Sequence, residues 1–286
     1  MENLNRSRAR HALLLYFLIA CIPPWIGWSL LTFGVVSQHA PYAPLLYITG
    51  WGASIGGLVA TYASEGPGGV RRLLGQAVRV RVPVRWWVYV LLVPPALQSC
   101  LAFLSFVFAR KAIAINPAAL LSLATPAMLV PFLFGPFGEE FGWRGFLLPR
   151  FVRRFSVLPA CLTVGITWAV WHWPLAYQAI VQAPGREIIS RVWAITCMSF
   201  MIAAVYLRTQ SLLLAMIMHW NFDSMLQLSS HLFPGVPTGA SSALVQWGGL
   251  SVLAVFAALT VPALLAVERE ERTSSLRHQP STPGCE

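Results

Sequence analysis

Eight apolar runs dominate the sequence, at about 11–36, 42–63, 86–109, 118–150, 157–177, 188–207, 210–230 and 243–267, joined by short polar connections. About twenty apolar residues make a helix that crosses a bilayer. The expectation is an all-α polytopic membrane helix bundle of about eight transmembrane helices. It would form a single transmembrane domain over 1–267, followed by a polar, Ser-, Thr- and Pro-containing tail at 268–286 expected to be disordered. The composition agrees: 57% of the residues are hydrophobic and 10% are charged, against about a quarter charged in soluble domains. The N-terminal run is long and lacks a clear small-residue cleavage site, so it reads as a retained first span rather than a signal peptide.

A net charge of +10 invites a nucleic-acid reading, but the placement of the arginines argues against it. With the N-terminus inside, fifteen Lys and Arg fall on the cytoplasmic side and four on the outer side, and Arg144 lies within a span. That bias is the positive-inside pattern, and it predicts both termini in the cytoplasm. Proline pairs at Pro23-Pro24 and Pro94-Pro95 interrupt two of the spans, since proline removes a backbone donor. Gly50, Gly52, Gly56 and Gly57 offer small-residue packing in the second. The five cysteines show neither metal nor disulfide spacing. No internal repeat is visible, which disfavours an inverted-repeat transporter.

Of the ten acidic residues, seven lie in connections or tails, leaving Glu139, Glu140 and Asp223 inside apolar runs. Ionisable groups at bilayer depth are expensive, face the bundle interior and mark function. In Gly138-Glu139-Glu140-Phe141-Gly142-Trp143-Arg144, helical spacing puts Glu140 and Arg144 on one face in the favourable acid-first order. Glu139 is turned away by about a hundred degrees, so the arginine neutralises Glu140 and leaves Glu139 for proton chemistry. The competing reading is an ion pair that only holds helices together. The run from 118 is also long for one crossing, which implies either a tilted helix or a break at Pro136.

Two of the six histidines lie deep in spans: His172, one turn after Trp168, and His219, one turn before Asp223. Counting from the expected span ends at about 1.5 Å per residue, Glu139 and His219 lie roughly 16 Å from the cytoplasmic side and His172 roughly 22 Å. The groups can meet near mid-membrane if the fifth span tilts. A single buried histidine is ordinarily packing; two histidines and three acids on three spans point to a site.

Glu139-Glu140-x-x-x-Arg144, an aromatic four residues before His172, and His219 with a polar residue four later resemble, in this order, the motifs of the CPBP family. These are the type II CAAX prenyl endopeptidases and bacteriocin-processing enzymes, also called Abi proteins. The resemblance covers a core of about 118–230. It implies an intramembrane protease with a chamber open to the cytoplasm, in a bacterial cytoplasmic membrane, acting on a lipidated, CAAX-like or membrane-associated peptide. Glu139 with His172 would activate a water, Glu140 and Arg144 would brace the site, and His219 with Asp223 would stabilise the oxyanion or orient its donor. Physical chemistry suits these roles. A carboxylate drawn out of water without a partner gains proton affinity, as a base needs, and one beside arginine stays ionised.

The sequence departs from the family twice: Trp168 stands where phenylalanine is usual, and Asp223 where asparagine is common. An ionised Asp223 cannot donate to an oxyanion. Either it is protonated, or it orients His219, or the site binds a metal. The reading favoured is metal-free; the alternative is a Zn²⁺ held by three of Glu139, His172, His219 and Asp223. Two further functions fit the same residues: a non-catalytic bacteriocin self-immunity or scaffold protein, and a proton-coupled transporter.

Overall fold

The computed structural model describes residues 2–109, 115–125, 129–182, 184–232 and 243–277. Among them every regular element is helical. In order these are α1 (Glu2–Thr32), α2 (Ala43–Ile48), a 3₁₀ turn (Thr49–Trp51), α3 (Gly52–Ala77), α4 (Val84–Ala109) and a 3₁₀ segment (Pro117–Ala124). The next run is a set of short pieces: α5 (Leu129–Phe134), α6 (Pro136–Glu140), a π-helix (Phe141–Leu147) and α7 (Leu148–Arg154). The chain continues through α8 (Val157–Trp171), α9 (Trp173–Gln182), α10 (Pro184–Thr209), α11 (Leu212–Leu232), α12 (Ala243–Ala258) and α13 (Val261–Arg277).

The chain is a polytopic helical membrane protein. Among the described residues, five helical stretches are long and apolar enough to cross a bilayer: Ser7–Thr32, Ala43–Ala77, Val84–Leu104, Gly185–Thr209 and Gly248–Glu270, with Val157–Trp171 as a shorter apolar helix. The expected fourth run is divided into short pieces, and α11 carries His219, Asn221 and Asp223 among its apolar residues. The expected connection at 64–85 is helical as far as Ala77, with a break at Gly66, whose φ of +68° is open to glycine and is followed by Pro67. The expected fifth span, 157–177, is not one helix: α8 ends at Trp171 and His172 caps it. The tail expected to be disordered continues α13 as far as Arg277, where Arg208 on α10 pairs with Glu270 at 2.8 Å. Residues 278–286 of that tail lie outside the described residues.

Both proline pairs sit within continuous helices, and in both a side chain from another helix serves a backbone carbonyl that the prolines leave without its amide. Pro94 and Pro95 cannot donate to Val90 and Leu91, four residues earlier. Asn221 Nδ2 on α11 donates to both of those oxygens, at 2.9 and 3.2 Å. Pro24 cannot donate to Ala20, and Trp171 Nε1 does so at 2.6 Å. In lipid a free carbonyl has no water to turn to, so neighbouring helices must satisfy it. The two partners flank functional candidates: Trp171 precedes His172, and Asn221 lies between His219 and Asp223.

Packing around the acidic stretch is close. α3 runs against the π-helix, and a Cβ on Gly57 would stand 2.8 Å from the Gly142 Cα, while one on Gly142 would overlap the Ala53 carbonyl oxygen. Small residues allow this backbone approach, which supplies the dispersion contact that drives helix association in lipid. Around it Tyr16, Trp143, Phe146, Trp168 and Trp171 form a buried aromatic core. Trp25 Nε1 on α1 donates to the Trp171 carbonyl at 3.0 Å, and Thr32 to the Pro174 carbonyl at 2.9 Å, which fastens α1 along α8 and α9.

Candidate active site

The site begins at Gly135, which caps α6, with Pro136 in the first turn where its missing amide does no harm. The new helix carries Glu139 and Glu140 at its end, 5% and 0% exposed. Ser54 on α3 donates to the Phe137 carbonyl at 2.9 Å and holds the start of the helix. The chain then widens into the π-helix, a form that gathers at functional positions.

The two adjacent acids have different surroundings. Glu140 Oε1 accepts from Arg144 Nη1 at 2.8 Å and from His219 Nδ1 at 2.7 Å. Arg144, itself wholly buried, also reaches Ser199 Oγ on α10 at 3.3 Å. Three segments thus meet on one ion pair. Glu139 has a lighter engagement: its Oε2 accepts from the Trp168 indole at 2.6 Å, and its Oε1 has no hydrogen-bond partner among the described residues. Breaking a buried pair leaves an uncompensated charge, so the Glu140–Arg144 arrangement is fixed in a way that Glu139 is not.

Trp168 joins the parts. Its indole N–H binds Glu139, and the Arg144 guanidinium lies 4.4 Å over its ring. The same ring meets His219 edge-on at 4.9 Å and His172 at 5.7 Å between centroids. Its carbonyl accepts from His172 Nδ1 at 2.9 Å. A carbonyl only accepts, so Nδ1 carries the His172 proton and Nε2 is left as the acceptor nitrogen. His219 Nδ1 likewise donates to the Glu140 carboxylate, and Nε2 faces Asp223 Oδ2 at 3.4 Å. A cavity of about 260 Å³ opens on His172 between α8, α9 and α10, lined also by Trp173, Ile180, Ile188 and Arg191.

The structure therefore gathers Glu140, Arg144, His219 and Asp223 in one polar chain and ties Glu139 and His172 each to Trp168, one to its indole N–H and the other to its carbonyl. The four side chains considered for zinc do not form a ligand set. Among the described residues no three His, Cys, Asp or Glu side chains stand close enough to hold one metal ion. Three are turned to other partners, Glu139 to an indole, His172 to a carbonyl and His219 Nδ1 to Glu140, and Asp223 faces His219 Nε2. A metal does not fit this arrangement of the described residues.

Residues 121–225, which include all six of these side chains, match the family described as Type II CAAX prenyl endopeptidase Rce1-like. That segment is similar to an Rce1-like CAAX endopeptidase domain. Its family is a family of proteases. The Rce1-like segment is also similar to CAAX prenyl protease 2 of Methanococcus maripaludis, with 31% identity over 91 residues, 29% of this chain and 33% of that protein. The chain thus matches about a third of that relative's length.

Ser199 and Asn221 are parts of the Rce1-like site's frame that sequence reasoning did not single out. Ser199 is one small polar residue in an apolar helix, with no spacing to mark it. Asn221 carried a signal, as an amide in an apolar run of a chain with an unmet proline pair elsewhere.

Proposed function

We propose that the chain is an intramembrane endopeptidase that hydrolyses a peptide bond in a lipidated, CAAX-like or membrane-associated peptide. The observation that carries this reading is the division between two adjacent buried acids, one locked to Arg144 and His219 and one held by a single indole. Glu140 also has an unpartnered oxygen, Oε2, but its carboxylate is already paired with Arg144 and His219, whereas Glu139 has a spare Oε1 on a carboxylate that no arginine holds, which is what an acid–base catalyst needs.

In the proposed reaction Glu139 takes one proton from water as the water oxygen bonds to the peptide carbonyl carbon, while His172 Nε2 only accepts a hydrogen bond from the O–H that remains. The carbonyl oxygen becomes an oxyanion facing His219 Nε2, a donor in the doubly protonated ring, which is held by Glu140 on one side and Asp223 on the other. Preorganised donors act strongly in a site from which water is excluded. Collapse of the intermediate breaks the carbon–nitrogen bond, and Glu139 returns the proton to the departing amine. Glu140 and Arg144 fix α6 and α11 while this occurs.

A lipidated substrate is supported by the family described above and by the CAAX prenyl protease to which the chain is similar. The finer topology belongs to the same proposal: one transmembrane domain over 1–267 with its core at 118–230, eight crossings with the segment around α6, α8 and α11 completing the set, and both termini and the chamber toward the cytoplasm of a bacterial membrane. The distribution of arginines supports that orientation.

The test is cleavage of a farnesylated Cys-a-a-X reporter peptide by purified wild type, Glu139→Ala and His172→Ala proteins, with and without a chelator. Cleavage by wild type alone, unchanged by the chelator, is the expected result. Equal cleavage by a folded Glu139→Ala variant would sink the proposal.

A further inference from the structure

Away from the acids, the start of α1, the bend of α3 and the end of α7 line a second cavity, of about 530 Å³. α1 contributes Arg8, Ala9 and Leu13, the bend of α3 contributes Ser64 and Glu65, and the end of α7 contributes Arg150, Phe151, Arg153, Arg154 and Phe155. Four arginines thus face one acid, and that acid is already engaged. Glu65 Oε1 lies 2.5 Å from Arg150 Nη2, and its Oε2 pairs with Arg72. Arg150 is fixed as the floor: 13% exposed at the side chain, it also donates to Ser64 Oγ at 3.1 Å and to the Phe146 carbonyl at 2.9 Å. Arg8, Arg153 and Arg154 are exposed and have no ion-pair partner among the described residues.

The cavity therefore holds uncompensated positive charge beside an apolar wall of Leu13, Phe151 and Phe155. Burial pulls the Arg150 pKa below its ordinary value; Glu65 pushes it back, while the like charges of Arg153 and Arg72 add to the fall. An anion in the cavity would relieve that repulsion. Free anions need no apolar wall, and apolar chains need no arginines. One class of molecule needs both, and it is always present where a spanning helix leaves the bilayer.

We propose that this cavity binds the phosphate of an anionic phospholipid, with Arg8, Arg153 and Arg154 around the headgroup and the acyl chains against Leu13, Phe151 and Phe155. Basic pockets between helices at the membrane surface recognise headgroups in this way. The site lies on α7, which continues the π-helix bearing Arg144, and it stands independently of the chemistry proposed for Glu139.

The test is native mass spectrometry of the full chain in detergent micelles, titrated separately with phosphatidylglycerol, phosphatidylcholine and inorganic phosphate. Wild type should retain phosphatidylglycerol at concentrations where it does not retain phosphatidylcholine, and phosphate should bind far more weakly. Each arginine removed should weaken phosphatidylglycerol binding about fivefold, so Arg153→Gln/Arg154→Gln loses roughly 25-fold, from the same per-arginine value. Arg8→Gln tests the opposite wall from a different helix. Arg208→Gln, at a separate helix end, should bind as wild type does. Equal retention of the two lipids, or affinity within twofold of wild type in both the double variant and Arg8→Gln, overturns the proposal. Phosphate binding as tight as phosphatidylglycerol would overturn the lipid assignment in favour of a soluble anion.

Discussion

Trp168 donates its indole hydrogen to Glu139 at 2.6 Å, while the face of the same ring receives the Arg144 guanidinium that binds Glu140. One side chain thus contacts both neighbouring acids' settings, by its edge in one case and by its face in the other. The edge bond leaves Glu139 with a free oxygen. The face contact helps to shield the ion pair of Glu140.

The two acids should therefore fail differently. Glu139→Gln keeps an acceptor for the indole and removes only the base, so the protein should melt as wild type does while cleavage falls about 10²- to 10⁴-fold. Glu140→Ala leaves Arg144 buried with no carboxylate, only the Ser199 hydroxyl and the face of Trp168 beside it, and a broken buried pair destabilises by about 3–5 kcal/mol. Thermal melts in detergent beside reporter cleavage separate the two outcomes. A stable Glu140→Ala protein would show that the pair does not hold the bundle.

Asn221 and the proline pair make a second prediction, readable as a double-mutant cycle. Asn221→Leu abandons the carbonyls of Val90 and Leu91 and should destabilise by about 1 kcal/mol, the usual scale for interhelical hydrogen bonds in membranes. In a Pro94→Ala/Pro95→Ala background the restored amides serve those carbonyls. Asn221→Leu should then have little effect on the melting temperature. An equal loss in both backgrounds would mean that Asn221 acts through packing alone.

Gly142 has no room for a side chain. The methyl of Gly142→Ala would meet the Ala53 carbonyl oxygen, backbone that cannot swing aside. Overpacking of this kind costs about 1–3 kcal/mol, and here relief comes only by parting α3 from the π-helix. Cleavage should fall more than stability does, because the same movement displaces Glu139 and Glu140. Retention of full activity would place the slack elsewhere.

The sequence discloses what depends on local spacing and hides what depends on a partner far along the chain. Apolar runs, basic connections and the four-residue step from Glu140 to Arg144 are local; the ion pair is where that spacing puts it, and the long apolar helices follow their runs except where the fourth and fifth are broken. The same logic couples His219 to Asp223, yet His219 makes its shorter contact, 2.7 Å, with Glu140 on another helix, against 3.4 Å to Asp223. The break of the fifth run at His172 has a local signal in Pro174, which disfavours a continuing helix just before it, but apolar character alone carries the run on to 177. The service of proline-freed carbonyls by Trp171 and Asn221 joins residues more than a hundred positions apart, beyond any local pattern.

Trp168 itself provides the last prediction. Phenylalanine in its place keeps an aromatic ring between the two histidines and beneath Arg144 and gives up only the N–H. The Oε2 of Glu139 would then take its hydrogen bond from water, which serves nearly as well as a direct donor. Trp168→Phe should therefore retain cleavage within about tenfold, from the loss of about one hydrogen bond. Trp168→Ala also removes the ring from beneath Arg144 and from beside His172 and His219. Loss of a buried tryptophan costs about 3–5 kcal/mol, and cleavage should be lost with it. Melting curves and reporter kinetics on the two variants decide the matter: if Trp168→Phe is as inactive as Trp168→Ala while still folded, the indole hydrogen bond, and not the ring, is what positions Glu139.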